Sequence, residues 1–214
     1  MNTNMMQLSK FVKWSVAGDG CVSYSTHNTN AHYSITRSPE HLDYINIVLS
    51  KFDGLQDCTT NVAQYTRKDN GKTVISLRTN SHPLFSRVRE RQYLQNRRII
   101  DKHMLTMLDW EAASFLYMDD GSLCVNNKGS HIVRLSTCAY SEIEQEALRK
   151  AFIEKLGVVF NVNRTGKNLF QLNLATKDHD KWFDGVEKFI VDSYKYKLPK
   201  CLQKGTSRTE DNLV

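Results

Sequence analysis

The amino-acid sequence predicts an α+β fold built from two pseudo-symmetric halves, each running αββαββα. Three observations carry that prediction. The segment SVAGDGCVSYS (residues 15–25) has a counterpart about a hundred residues later in LYMDDGSLCVN (residues 116–126), and Asp19-Gly20 matches Asp120-Gly121. The order of helix-like and strand-like stretches after each copy is the same. At 40% hydrophobic and 24% charged residues, the 214-residue chain has the composition of a globular protein with a sizeable core. An internal repeat is the first thing to seek, because it alters how every later segment is read.

Each element follows from local pattern. In both copies an apolar, helix-like stretch ends in Asp-Gly and runs into a strand. After the first come a turn and a second strand at residues 31–37; then PEHLDYINIVLSKF places Leu42, Ile45, Leu49 and Phe52 on one helical face. After the second come a strand near Leu123, a turn at Asn127-Lys128-Gly129 and a strand at residues 131–136. The helix SEIEQEALRKAFIEKLG follows, with Ala147, Leu148, Ala151 and Phe152 apolar and Gly157 as its stop. Each half then shows a hairpin: residues 61–67 and 73–80 around a glycine-containing turn, and residues 158–164 and 168–175 around Thr165-Gly166-Lys167. Helical patterns near residues 83–97 and 180–194 close the halves. The expected organisation is a first half at residues 8–100, a linker at 101–109, a second half at 110–202, and a disordered tail at 203–214.

Composition bounds the partners. The formal net charge of +6 and pI of about 9.0 favour a polyanion. No apolar run approaches the roughly 18 residues of a membrane span, and residues 1–10 carry neither a signal-peptide nor a transit pattern. Cys21, Cys58, Cys124, Cys138 and Cys201 are odd in number and scattered, with no CxxC or Cys/His cluster. They read as reduced thiols, and the expected setting is an intracellular, reducing compartment.

Asp19 and Asp120 are unusual where they stand. A helix C-terminus carries partial negative charge that repels a carboxylate, and burial adds a desolvation cost. Both penalties become advantages if the position holds Mg²⁺, which prefers carboxylate, carbonyl and water oxygens. The flanking residues Phe11, Trp14, Val16 and Ala17, and Phe115, Leu116, Tyr117 and Met118, are too apolar for surface helices. If the two helices pack about a pseudo-twofold axis, the carboxylates meet at one end. Two metal sites so related suit hydrolysis of two phosphodiester bonds.

FVKWSVAGDG (residues 11–20) and ASFLYMDDG (residues 113–121) resemble the paired LAGLIDADG motifs of single-chain homing endonucleases. YKLPK (residues 196–200) resembles that family's C-terminal basic segment. The resemblance spans roughly residues 8–202 and is nearest the branch of the mitochondrial omega-intron endonuclease. It implies a central pair of motif helices and two antiparallel four-stranded sheets forming a DNA-binding saddle. The implied activity is that of a monomer cutting both strands of a long double-stranded DNA site, leaving staggered 3′ overhangs. The implied cofactor is two or more Mg²⁺, with Mn²⁺ as substitute.

Carried over by position, Asp19 and Asp120 would be the metal-binding catalytic carboxylates, with Gly18 and Asp119 adding carbonyl ligands. Lys197, and Arg98 in the matching NRRII segment, would be the basic residues stabilising charge on the scissile phosphate. Two departures matter. Trp14 stands where the family has a small residue, so either close approach of the helices rests on Ser15, Ala17 and Gly18, or the helices sit further apart. Arg98 replaces the more usual lysine and cannot act as a base, so nicking of one strand is an open outcome.

DNA would be read by the sheets. In the last hairpin Asn161, Asn163, Gln171 and Asn173 alternate with Phe160, Val162, Phe170, Leu172 and Leu174; carboxamides are natural partners of adenine. In the first half Asn61, Arg67, Ser76 and Arg78 alternate with Val62, Ile75 and Leu77. Phosphate contacts would come from Lys68, Lys72, Lys128, Arg164 and Lys167, and further DNA contacts from Ser23, Ser25, Arg37, Asn126 and Arg134. The rival readings are an intron-RNA-binding maturase, a non-cleaving DNA-binding protein of the same fold, and a small-substrate hydrolase using Asp119 and Asp120.

Overall fold

The repeat is visible in the element order of the computed structural model, which describes residues 3–125 and 130–203. The first half runs α1 (Thr3–Ala17), β1 (Cys21–Tyr24), β2 (Ala31–Arg37), α2 (Leu42–Ser50), β3 (Thr60–Thr66), β4 (Thr73–Thr79) and α3 (Pro83–Gln92). A two-residue hairpin, β5 (Tyr93–Leu94) and β6 (Arg97–Arg98), and a short helix α4 (Lys102–Thr106) lead on. The second half runs α5 (Trp110–Asp120), β7 (Gly121–Val125), β8 (His131–Leu135), α6 (Glu142–Leu156), β9 (Phe160–Gly166), β10 (Leu169–Leu174), α7 (His179–Val186) and a terminal turn of helix α8 (Lys200–Gln203). Both four-stranded sheets are antiparallel and share one strand order, β1-β2-β4-β3 and β7-β8-β10-β9.

Local chemistry explains where the helices start and stop. The Asp109 side chain accepts the Ala112 N–H at 2.9 Å and opens α5. Ser141 and Glu144 form a capping box at the start of α6, which ends on left-handed Gly157 at φ 63°. Pro83 begins α3 with its neighbour N–H, that of Leu84, held by His82 Nδ1 at 3.1 Å.

One hydrophobic core runs through both halves, with α1 and α5 packed together at its middle. Phe11 meets Phe115 edge-on, centroids 5.0 Å apart. Helix α5 is buried on all sides from Ala112 to Met118, which is why its sequence shows no polar face. Ion pairs tie the halves around this seam: Lys10 to Asp109 at 2.6 Å and to Glu111 at 2.9 Å, and Lys51 to Glu111 at 2.6 Å.

Several expectations need correction. The buried face of α2 is Tyr44, Ile45 and Val48, continued by Phe52, and Leu42 is exposed. Helix α3 stops at Gln92, because Gln95 and Asn96 take positive φ (48° and 64°) and fold residues 93–98 into a hairpin. The last helical segment breaks after Val186 into 3-10 turns at Glu187–Phe189 and Asp192–Lys197. In the final hairpin, β9 extends to Gly166 and Asn168 takes the positive φ. The expected linker contains α4. The five cysteines are all free, and no helix among the described residues is long and apolar enough to cross a membrane. The turn at residues 127–129 and the tail from 204 lie outside the described residues.

Helix α7 crosses α5 at a glycine. A Cβ on Gly185 would lie 2.3 Å from a ring carbon of Trp110. Gly185→Ala should therefore destabilise the protein by about 1–3 kcal/mol through overpacking, seen as a lower denaturant midpoint at unchanged slope.

Candidate active site

The two motif helices end side by side. Helix α1 closes with the Gly18 N–H donating to Trp14 O at 3.2 Å and the Gly20 N–H to Ser15 O at 2.8 Å, which leaves Asp19 just beyond the helix. Helix α5 instead reaches Asp120, and Gly121 starts β7 directly. Glycine is required at both exits: a Cβ on Gly121 would sit 2.3 Å from Tyr117 O, and one on Gly20 2.9 Å from Ser15 O. A Cβ on Gly18 would lie 2.3 Å from Asp119 Oδ2. The helix ends therefore touch through Gly18 and Asp119, and Trp14 is enclosed without splaying them.

Asp119 is not an exposed ligand. Its side chain is wholly buried, and Oδ1 accepts from the Arg37 guanidinium and from Tyr44 Oη, the latter at 2.7 Å. Oδ2 accepts the main-chain N–H of Asp19 at 3.1 Å. Burial pushes the Asp119 carboxyl up, opposed by Arg37. Arg37 was expected on the DNA face, and this is a correction. In β2 it shares a side with the buried residues Tyr33 and Ile35, is itself buried, and lies 3.1 Å from Asp19 Oδ2.

The two motif carboxylates differ. Asp19 is half-exposed and paired with Arg37. Asp120 has no side-chain hydrogen bond or ion pair among the described residues. Burial, with Asp19 and Asp119 close by, pushes it up to about 7, against the pull of Arg98 and Lys197. The two basic residues cap the motif helices. Arg98 donates to Gly18 O, while Lys197 Nζ donates to Met118 O at 2.5 Å and Tyr117 O at 3.2 Å. Burial brings Lys197 down to about 8, opposed by the three aspartates. Tyr140, which sequence reasoning passed over, donates to Ala17 O at 2.8 Å and closes the last turn of α1.

The donor set suits a hard divalent cation. No three His, Cys, Asp or Glu side chains among the described residues converge as a closed cage. Mg²⁺ does not need one, because it typically keeps waters and takes one or two carboxylates plus substrate phosphates. The crowding that raises Asp120 is relieved by a cation. Asp19, Asp120 and main-chain carbonyls fit that role, whereas the Asp119 carboxylate is consumed by Arg37 and Tyr44. The Gly18 carbonyl already accepts from Arg98.

The sheets turn polar faces away from the helices. In the first sheet, register places Cys21, Ser34, Arg78 and Asn61 in one cross-strand row, and Thr36, Ser76 and Ala63 in the next. In the second, Ser122, Arg134, Asn173 and Asn161 form one row, and Gln171 pairs with Asn163 in the next. Ser23 and Ser25 continue the open face along β1, and both hydroxyls contact His32. Arg67 follows β3 on that face, with exposed Lys68 and Lys72 in the adjoining turn; Lys167 is exposed in the other turn. Arg164, expected among the loop cations, lies within β9 and is exposed. It pairs with Phe170, on the side of Val162, and donates to Gly166 O at 3.1 Å. Asn126 and Lys128 lie outside the described residues. Ser34 and Thr36 share the open face, with buried His32 on the same side beneath Ser23 and Ser25; they were not singled out, although their alternation with Tyr33 and Ile35 marks them.

This arrangement of two motif helices under two matched sheets defines a class, and comparison with known proteins agrees. The profile of the LAGLIDADG DNA endonuclease family matches residues 15–182, and the chain belongs to that family. Among solved structures, the homing endonuclease I-WcaI bound to its DNA recognition sequence is similar at TM-score 0.73 and 18% identity, over 92% of this chain and 87% of that one. A variant of I-DmoI in complex with its target DNA in the presence of Mg aligns at TM-score 0.54 and 16% identity, over 86% and 98%. The N-terminal LAGLIDADG domain of WhiA aligns at 0.50 and 12%, over 86% and 84%. No curated protein sequence matches the chain.

The strain at Asp120 has a consequence for stability. Its folded carboxyl titrates above an unfolded one, so between about pH 4 and 7 the folded state holds the extra proton. Stability therefore falls as pH rises through that window. Without divalent ions, Asp120→Asn should match the wild type at pH 4. At pH 8 it should exceed it by up to about 4 kcal/mol in denaturant unfolding.

Proposed function

We propose that the protein is a site-specific endonuclease that hydrolyses both strands of a long double-stranded DNA site with divalent metal ions, leaving staggered 3′ overhangs. One observation carries the reading: two acidic residues, one from each half, emerge together at the ends of adjacent buried helices, with a basic residue beside each and a polar sheet face on either side. A small-substrate hydrolase has no use for two such extended faces.

Asp19 and Asp120 would hold the ions, with remaining positions filled by water and DNA phosphates. Bound there, the metal would supply an activated water and neutralise charge on the phosphate. Arg98 and Lys197 keep the helix ends in place and set positive charge against a phosphate that gains negative charge as it reacts. Arg98 cannot give up a proton, whereas Lys197, already brought down by burial, can exchange one near neutral pH. The row containing Gln171 and Asn163 and the row containing Arg134, Asn173 and Asn161 offer carboxamide and guanidinium groups to base edges in the major groove. Lys68, Lys72 and Lys167 would meet phosphates.

The test is incubation with a randomised DNA library in Mg²⁺ and sequencing of the cut ends. A recovered consensus is expected, and random or absent cutting refutes the reading. On that site, Asp19→Asn or Asp120→Asn should abolish double-strand cutting while DNA binding in Ca²⁺ survives; full activity in either variant would remove the assignment. Many phosphate contacts also predict that affinity drops by about three orders of magnitude between roughly 50 and 200 mM salt. A flat response would contradict a long interface.

A further inference from the structure

The residues framing the two aspartates differ most at the position just before each. Gly18 precedes Asp19, and Asp119 precedes Asp120. The added carboxylate is enclosed and anchors Arg37, whose other arm ends 3.1 Å from Asp19 Oδ2. Arg37 is further fixed by donation to Thr36 O at 3.1 Å and by the Tyr44 ring, 4.9 Å to its centroid. Asp19 is also tied through its main chain to Asp119. Strand register makes Thr137 the counterpart of Arg37: Cys21 pairs with Ser34 as Ser122 pairs with Arg134, three residues before each. The Thr137 hydroxyl is spent on Gln145 at 2.7 Å, so no cation reaches Asp120 from the matching place.

A guanidinium already paired with a carboxylate repels a second cation approaching the same group. We propose that Arg37, fixed by Asp119 and Tyr44, is a positioning residue that holds the Asp19 carboxylate and makes the Asp19 half of the centre bind its divalent ion more weakly than the Asp120 half, so that the two DNA strands are cut in a set order. This rests on the endonuclease reading above. Arg37 acts through its contact with Asp19.

The test uses the full-length protein on the DNA site recovered by library selection. Ca²⁺ is titrated into the complex by calorimetry, and each strand is labelled separately to follow cutting as Mg²⁺ is varied. The wild type should show two Ca²⁺ affinities about tenfold or more apart, and strands with correspondingly different Mg²⁺ midpoints. Arg37→Met alone would leave a buried carboxylate unpaired and endanger folding. The informative variant is therefore the double substitution Arg37→Gln with Asp119→Asn, which keeps neutral hydrogen-bonding groups in place. In it the weak Ca²⁺ site should tighten towards the strong one and the two Mg²⁺ midpoints should converge, whereas Arg37→Lys, which keeps the charge, should retain the gap. Equal affinities in the wild type, or an unchanged gap in a double variant that melts close to the wild type, would overturn the proposal and leave the endonuclease reading standing. No selected site, or no Ca²⁺ binding at all, would bring down that reading and the proposal with it.

Discussion

The contact of Gly18 with Asp119 is the constraint on which the rest of the structure depends. Helix α5 is buried on every side, and where its end meets that of α1 the close approach is made by a glycine against a carboxylate. The buried acid then demands partners. Arg37 and Tyr44 supply them from β2 and α2, which locks the first sheet and its covering helix to the motif helix of the other half. Packing and electrostatics are thus one problem here, since removing any member leaves another buried without its partner.

The same contact sets the character of the site. Bringing the helix ends together brings three carboxyl groups together, and the fold offsets only part of that repulsion with Arg37, Arg98 and Lys197. The residual strain sits on Asp120, the one of these three with no side-chain hydrogen bond or ion pair among the described residues. Uncompensated like charge in a cleft is a common mark of a working site, because the missing ligand completes the balance. Arg98 and Lys197 serve both purposes: they satisfy helix-terminal carbonyls and place positive charge at the same end.

Much of this was legible in the sequence, for identifiable reasons. The bounds expected for strand β2 were right, and so was the end of α6 at Gly157, whose capping chemistry is local. What was missed depends on neighbours distant in the chain. The Arg-rich stretch after α3 has a helical pattern, yet Gln95 and Asn96 turn it into a hairpin that carries Arg98 to Gly18. Tyr44 lies inside an apolar face, where nothing local reveals that its hydroxyl meets Asp119. Arg37 shows the limit of reasoning from residue type. Its parity with Tyr33 and Ile35 placed it on the covered side of the sheet, but its charge suggested solvent, and only the acid from the other half reconciles the two.

The rows nearest the two aspartates have diverged. Thr36, Ser76 and Ala63 stand on one side, against Gln171 and Asn163 on the other. A dimer of identical chains would be bound to repeat one row on both sides and so to a palindromic target. With both halves in a single polypeptide, a change in one sheet leaves its counterpart untouched. Each half-site is free to drift alone, and a target read this way has no reason to be palindromic.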